Sequence, residues 1–110
     1  MEGYINANGV VTNYHLDTNK WYETKEDNEI IRIVDRNGEN KTVNDLIVFS
    51  DIYDIYIQLI IYKNDGNPVE ISDIIFINAG DMFGAGEIKV QGIKVIGSAG
   101  VKLRWHGSFY

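Results

Sequence analysis

Residues 87–110 read EIKVQGIKVIGSAGVKLRWHGSFY, and this stretch decides the fold class. It predicts two β-strands joined by the small-residue turn Gly97-Ser98-Ala99-Gly100. In the second strand Val101, Leu103 and Trp105 fall on one side, and Lys102, Arg104 and His106 on the other. Such period-2 alternation marks a strand with one buried face. In the first strand Ile88 and Val90 share a face, as do Ile93 and Val95, but the two pairs lie an odd number of positions apart. The register must therefore shift at Gln91-Gly92, as a β-bulge or a break between strands.

Moving toward the N-terminus, Ala79 to Gly86 is glycine-rich and reads as a crossing between sheets. It is followed by no Gly-Lys-Ser/Thr and lacks the spacing of a dinucleotide fingerprint. Ile74 to Asn78 and Val69 to Ile71 continue the sheet, and Lys63 to Pro68, with Asp65-Gly66 inside it, is the clearest turn. Ile52 to Tyr62 is apolar on both sides. Ile55, Ile57, Leu59 and Ile61 line one face, and Tyr56, Gln58, Ile60 and Tyr62 the other. A strand of this kind is central in a sheet or covered on its second face. Leu46 to Phe49 is a short apolar strand that Ser50-Asp51 separates from it. Ile30 to Val34 is a further strand, with Asn37-Gly38 at the apex of a turn and residues 41–43 as the returning partner.

Residues 1–29 are the least core-like. Asn8-Gly9 is a turn dipeptide, and Tyr14, Leu16, Trp21 and Tyr22 need apolar cover that a short arm does not supply. Residues 23–29 (ETKEDNE) are acidic and read as a solvated loop or one helical turn. The expectation is an all-β protein, a single-domain β-sandwich or jelly-roll-like fold over residues 30–110, with an irregular N-terminal arm over 1–29. Turn signals recur at roughly 8–12-residue spacing, as in a sandwich or small barrel.

The 110 residues suit one domain, and the absence of cysteine excludes disulfides and thiolate metal sites. The start has no basic region followed by an apolar run, so no signal peptide is expected, and no apolar run reaches the length of a membrane helix. The net charge of −6 is uneven. Residues 1–86 hold six cations against fifteen acids, a balance of −9, whereas residues 87–110 hold four against one, a balance of +3. An acidic body argues against nucleic-acid binding, which needs clustered positive charge. The basic C-terminal strands suit an acidic protein surface, on the same molecule or on a neighbouring copy.

No catalytic constellation stands out, and the expectation is that the chain is not an enzyme. His15 and His106 are distant in sequence and have no evident triad partner. No serine sits in a Gly-x-Ser-x-Gly setting. Asp51 and Asp54 are acids at a strand end, where solvated turn residues are the rule. Asp35, Asn37 and Glu39 alternate as in a calcium loop, but Gly38 is misplaced and no distal glutamate follows at the needed spacing. No metal and no cofactor is expected. The aromatics are the more informative set, since their faces fill cores, meet protein partners or stack on sugars. Trp21 and Tyr22 in the arm and Lys102, Arg104 and Trp105 in the last strand are the candidate interface residues.

Residues 92–107, with Gly92-Ile93-Lys94-Val95-Ile96, the turn Gly97-Ser98-Ala99-Gly100 and Val101-Lys102-Leu103-Arg104-Trp105-His106-Gly107, resemble the closing strands of small bacteriophage virion proteins. Ile77-Asn78-Ala79-Gly80-Asp81 fits the same pattern. The likeness covers about a third of the chain, residues 76–107, and the part before Ile52 does not share it. It implies a non-enzymatic virion component, a head decoration, fibre or tail accessory protein. Such a component would work as a homo-oligomer, for example a trimer, together with other virion proteins. The alternative expectation is a carbohydrate-binding module that uses exposed Trp and Tyr to hold glycans.

Overall fold

A computed structural model describes residues 21–34, 38–62 and 70–109. Nine strands run in chain order: β1 (Tyr22–Glu23), β2 (Ile30–Arg32), β3 (Val43–Ser50), β4 (Ile55–Ile61), β5 (Glu70–Ile71), β6 (Ile75–Ile77), β7 (Met82–Gly84), β8 (Val90–Ile96) and β9 (Lys102–Phe109). No helix occurs among the described residues, so the all-β expectation holds. All pairings are antiparallel, and they form one curled sheet.

The sheet divides into two ladders. The first is β1-β9-β3-β7, and the second is β2-β8-β4 with β5 and β6 both on the far edge of β4. They are joined along the sheet by the single pair Val43↔Val90. The inward faces of both ladders supply one buried cluster, with Val48, Leu46, Leu103 and Trp105 from the first and Ile57, Leu59, Ile93 and Val95 from the second. Alternation supplies this core directly. In β4, Ile55, Ile57 and Leu59 are buried while Tyr56 points out, and in β9 Leu103, Trp105 and Gly107 alternate with exposed or half-buried neighbours.

Two bulges break the alternation. In β8, Ile60 faces Gly92 but Ile61 faces Val90, so Gln91 is the extra residue. This is the register shift that the apolar pattern demanded at Gln91-Gly92. A side chain at Gly92 would meet Ile60 Cδ1 at 3.1 Å and the Ile31 carbonyl at 3.2 Å. The second bulge lies in β3, where Asn44 faces Ser108 and Ile47 faces His106, leaving Asp45 and Leu46 opposite Gly107. Asp45 takes a left-handed backbone (φ 53°), which short polar residues tolerate, and its N–H donates to the Gly86 carbonyl at 2.9 Å.

Residues 97–100 do not close a hairpin, because β8 and β9 pair with other strands and not with each other. They form a corner between ladders, and the ETKEDNE segment is folded onto it. The Thr24 hydroxyl accepts from Val101 N–H (2.9 Å), Asp27 Oδ1 from Ala99 N–H (3.0 Å) and Asn28 Oδ1 from Gly97 N–H (2.9 Å). Thr24 and Val101 also exchange backbone contact through Thr24 N–H to the Val101 carbonyl. Residues 22–29, assigned to the arm from sequence, are thus part of the sheet and its corner. The rest of that arm, residues 1–20, and the Lys63 to Pro68 turn lie outside the described residues.

The opposite corner is built alike. The Gly-rich crossing carries the chain from β6 in the second ladder to β7 in the first. It is held by Ser50 Oγ donating to the Asn78 carbonyl (2.5 Å), by Ala79 N–H donating to Asp54 Oδ1 (2.8 Å) and by Gly80 N–H donating to the Asp51 carbonyl.

Candidate interaction faces

The candidate residues chosen from sequence lie on or behind the first ladder. Arg104 stands opposite Phe49 across the β9–β3 pair, and Phe49 stands opposite Met82 on β7. The guanidinium carbon of Arg104 lies 4.6 Å from the centre of the Trp21 ring and 5.1 Å from that of Phe49. Trp21 and Arg104, distant in sequence, are therefore brought into contact. Arg104 Nε and Nη1 are buried and have no hydrogen-bond partner among the described residues. The two ring faces offset part of that cost through cation–π attraction. His106, one step along the same face, stacks on Phe49 at 5.5 Å between ring centres. Lys102 is exposed beside Glu23.

Two of the five candidates face the other way. Trp105 is only 2% exposed and belongs to the core. It was expected at an interface, but its position in the alternation with Leu103 and Gly107 turns it inward. Tyr22 packs edge-on against it, with ring centres 5.9 Å apart and planes at 73°. The Tyr22 hydroxyl donates to the Glu29 carboxylate, which also accepts from the Lys25 N–H at 2.6 Å and the Glu26 N–H at 3.3 Å. Partial burial and then the bond to Glu29 and the charges of Glu29 and Glu26 push the Tyr22 hydroxyl well above its ordinary value. Burial tends to raise the Glu29 carboxyl, but the three hydrogen bonds and the Lys25 charge outweigh it, and the net direction is down. An open hollow of about 530 Å³ runs along residues 21–25.

Of the two acids considered for chemistry, Asp54 has a structural partner for its carboxylate, and Asp51 contributes its backbone carbonyl to the corner. Asp54 holds the Ala79 N–H at the corner. Asp35 and Asn37 of the calcium-loop-like stretch, and His15, lie outside the described residues. Among the described residues no three His, Asp or Glu side chains converge as metal ligands.

A second surface was not singled out from sequence. The outer face of the second ladder is a grid fixed by register. One row reads Arg32, Gly92, Ile60 and Ile71, each aligned with the next across β2, β8, β4 and β5. The next reads Ile30, Lys94 and Gln58. The third reads Ile96, Tyr56 and Phe76. Tyr56 and Phe76 form a ring pair 5.0 Å apart with planes at 45°. Nine large hydrophobic residues among the described ones are exposed, and seven of them lie on this face or in the loops bordering it: Ile30, Ile71, Tyr56 and Phe76 on the strands, with Ile52, Tyr53 and Ile74 in the loops. Clustering of this kind marks an interaction surface, whereas single exposed hydrophobics are ordinary. A hollow of about 290 Å³ opens on it, lined by Ile30, Arg32, Asn40, Ile60 and Gln91. The sequence did carry the signal, in the second apolar side of residues 52–62, but that signal does not say whether protein, a ligand or nothing covers it. No family model, no curated protein and no solved structure matches this chain.

Proposed function

We propose that this chain is a structural, non-catalytic protein that acts by associating with copies of itself, as a component of a bacteriophage virion. The virion assignment rests on the resemblance of residues 76–107 to such proteins. The observation that carries the self-association is the outer face of the second ladder, where Tyr56 and Phe76 remain 49% and 46% exposed beside the exposed Ile30 and Ile71. Aromatic and aliphatic side chains grouped in this way supply the buried centre of protein interfaces.

Light scattering behind size exclusion, run over a range of protein concentrations, tests it. The expected result is a mass that rises with concentration to a closed oligomer, and a shift toward monomer in Tyr56→Asp. A wild-type protein that stays monomeric throughout overturns self-association.

The alternative of a carbohydrate-binding module is less well supported. Trp105 is in the core and Trp21 is engaged by Arg104, which leaves Tyr53, Tyr56 and Phe76 as the exposed rings among the described residues. With Tyr56 and Phe76 tilted at 45°, these two rings form no single flat platform for a sugar. Saturable glycan binding by a protein that remains monomeric would favour this alternative.

A further inference from the structure

Building on the self-association proposed above, we infer that two copies pack face to face through the outer face of the second ladder, about a two-fold axis lying in that face and parallel to its strands. An interface of this kind uses the same patch twice, so the patch must be complementary to itself. Its charges are arranged that way. The cations Arg32 and Lys94 stand on the β2–β8 half. The connection between β5 and β6, at the opposite edge, carries the exposed acid Asp73. The proposed axis lays each β2–β8 half over the β4–β5 half of the second copy. Lys94 then meets Gln58 of that copy, and Arg32 reaches over its β5–β6 edge toward Asp73. An axis running across the strands would set Lys94 against Lys94, a like-charge contact that costs affinity. Local opposite charge matters here because each chain carries a net −6 and the copies repel at long range.

Shape points to the same axis. Gly92 is buried beneath the side chain of Ile60, and beside this pair lies the hollow lined by Ile30, Arg32, Asn40, Ile60 and Gln91. The axis brings Ile71 of the second copy, 54% exposed, over Arg32 at the mouth of this hollow, so that one aliphatic knob from each copy enters the hollow of the other. Four strands and three rows span roughly 400 Å² of sheet plane per copy. That is about half the area each partner buries in a standard stable complex, before the bordering Ile52, Tyr53 and Ile74 are counted. The dimer is accordingly concentration-dependent, not obligate.

A charge exchange tests the axis. Arg32→Glu alone sets two acids together at both ends of the two-fold, and Asp73→Lys alone sets two cations together. Each variant is expected to weaken self-association about tenfold. In an equal mixture of the two variants, each copy's residue 32 meets an opposite charge at residue 73, so the mixture is expected to recover the wild-type dissociation constant to within about threefold. Sedimentation velocity on the wild type, each variant and the mixture reads all four. Recovery on mixing also shows that both variants are folded. A wild type that dimerises with no response to either variant overturns this face while leaving self-association intact. Losses that mixing does not repair overturn the axis. A wild type monomeric up to about 1 mM overturns the assembly proposal and this one together.

Discussion

Glu29 is the residue through which pH reaches the fold. Its carboxylate binds the Tyr22 hydroxyl and the backbone N–H groups of Lys25 and Glu26, and these bonds are stronger to the ionised form. Because the folded protein holds this carboxyl below its ordinary value of 4.5, its contribution is fully present above that pH and is lost as pH falls through the lower, folded value. Tyr22 behaves in the opposite sense. Its hydroxyl is raised above its ordinary value of 10.0, so its contribution is present below about pH 10 and declines as pH rises further. Glu29→Gln removes the carboxylate while keeping an acceptor for Tyr22. Denaturation midpoints measured from pH 7 to pH 3 should therefore fall less steeply in the variant than in the wild type. Parallel curves would show that Glu29 does not carry this dependence. Neighbouring Trp105 illustrates a different lesson. In β9 the inward and outward sets were both legible from sequence, but an aromatic on the inward set belongs to the core, where truncation of so large a side chain typically costs about 3–5 kcal/mol.

Among the elements, β3 and β9 pair from Val43 to Ser50, and this ladder accommodates a bulge only because Gly107 is small. A Cβ there would sit 3.0 Å from the Asn44 carbonyl and 3.2 Å from Val43 Cβ, and backbone and core atoms have little room to yield. Gly107→Ala should therefore destabilise the protein by about 1–3 kcal/mol. Gly84→Ala, at a position with nothing within 4 Å, should stay within about 0.5 kcal/mol. Urea titrations of the two variants make the comparison, and equal effects would contradict the close approach at the bulge. The same reasoning explains the corners. Thr24, Asp27 and Asn28 present oxygens to three successive alternate N–H groups of residues 97–101, so the polar ETKEDNE segment closes a turn that has no hairpin partner of its own.

For the whole molecule, the curled sheet buries one face of each ladder in a common core and leaves two outer faces with different chemistry. That of the first ladder is half-buried around Arg104, Trp21 and Phe49. That of the second is aliphatic and aromatic, with cations confined to one half. If the second face is where copies meet, apolar burial holds the dimer and charge orients it. Raising salt from about 50 to 500 mM should then change the dissociation constant only a few-fold, because screening weakens both the orienting pairs and the long-range repulsion between acidic chains. Sedimentation at the two ionic strengths checks this. Complete dissociation at high salt would mean that charge, and not the Tyr56–Phe76 surface, supplies the affinity.

Legible in the chain alone were the all-β class, the inward set of β9, the paired apolar positions of β8 and the register shift at Gln91-Gly92. Each of these follows from the two-residue repeat of side chains along extended chain, which is local. The sequence also marked residues 52–62 as apolar on both sides. Which strands are neighbours was set by the folded sheet. Residues 97–100 look like a hairpin turn, and residues 23–29 look like a solvated loop. That they form one corner depends on hydrogen bonds between positions about seventy residues apart, which no local pattern encodes. The bulge at Asp45 was equally hidden, since it exists to match β9 across the sheet. So was the candidate interface. Ile30, Tyr56, Ile71, Phe76 and Ile96 come from five strands, and their common face arises only when register aligns them across the second ladder.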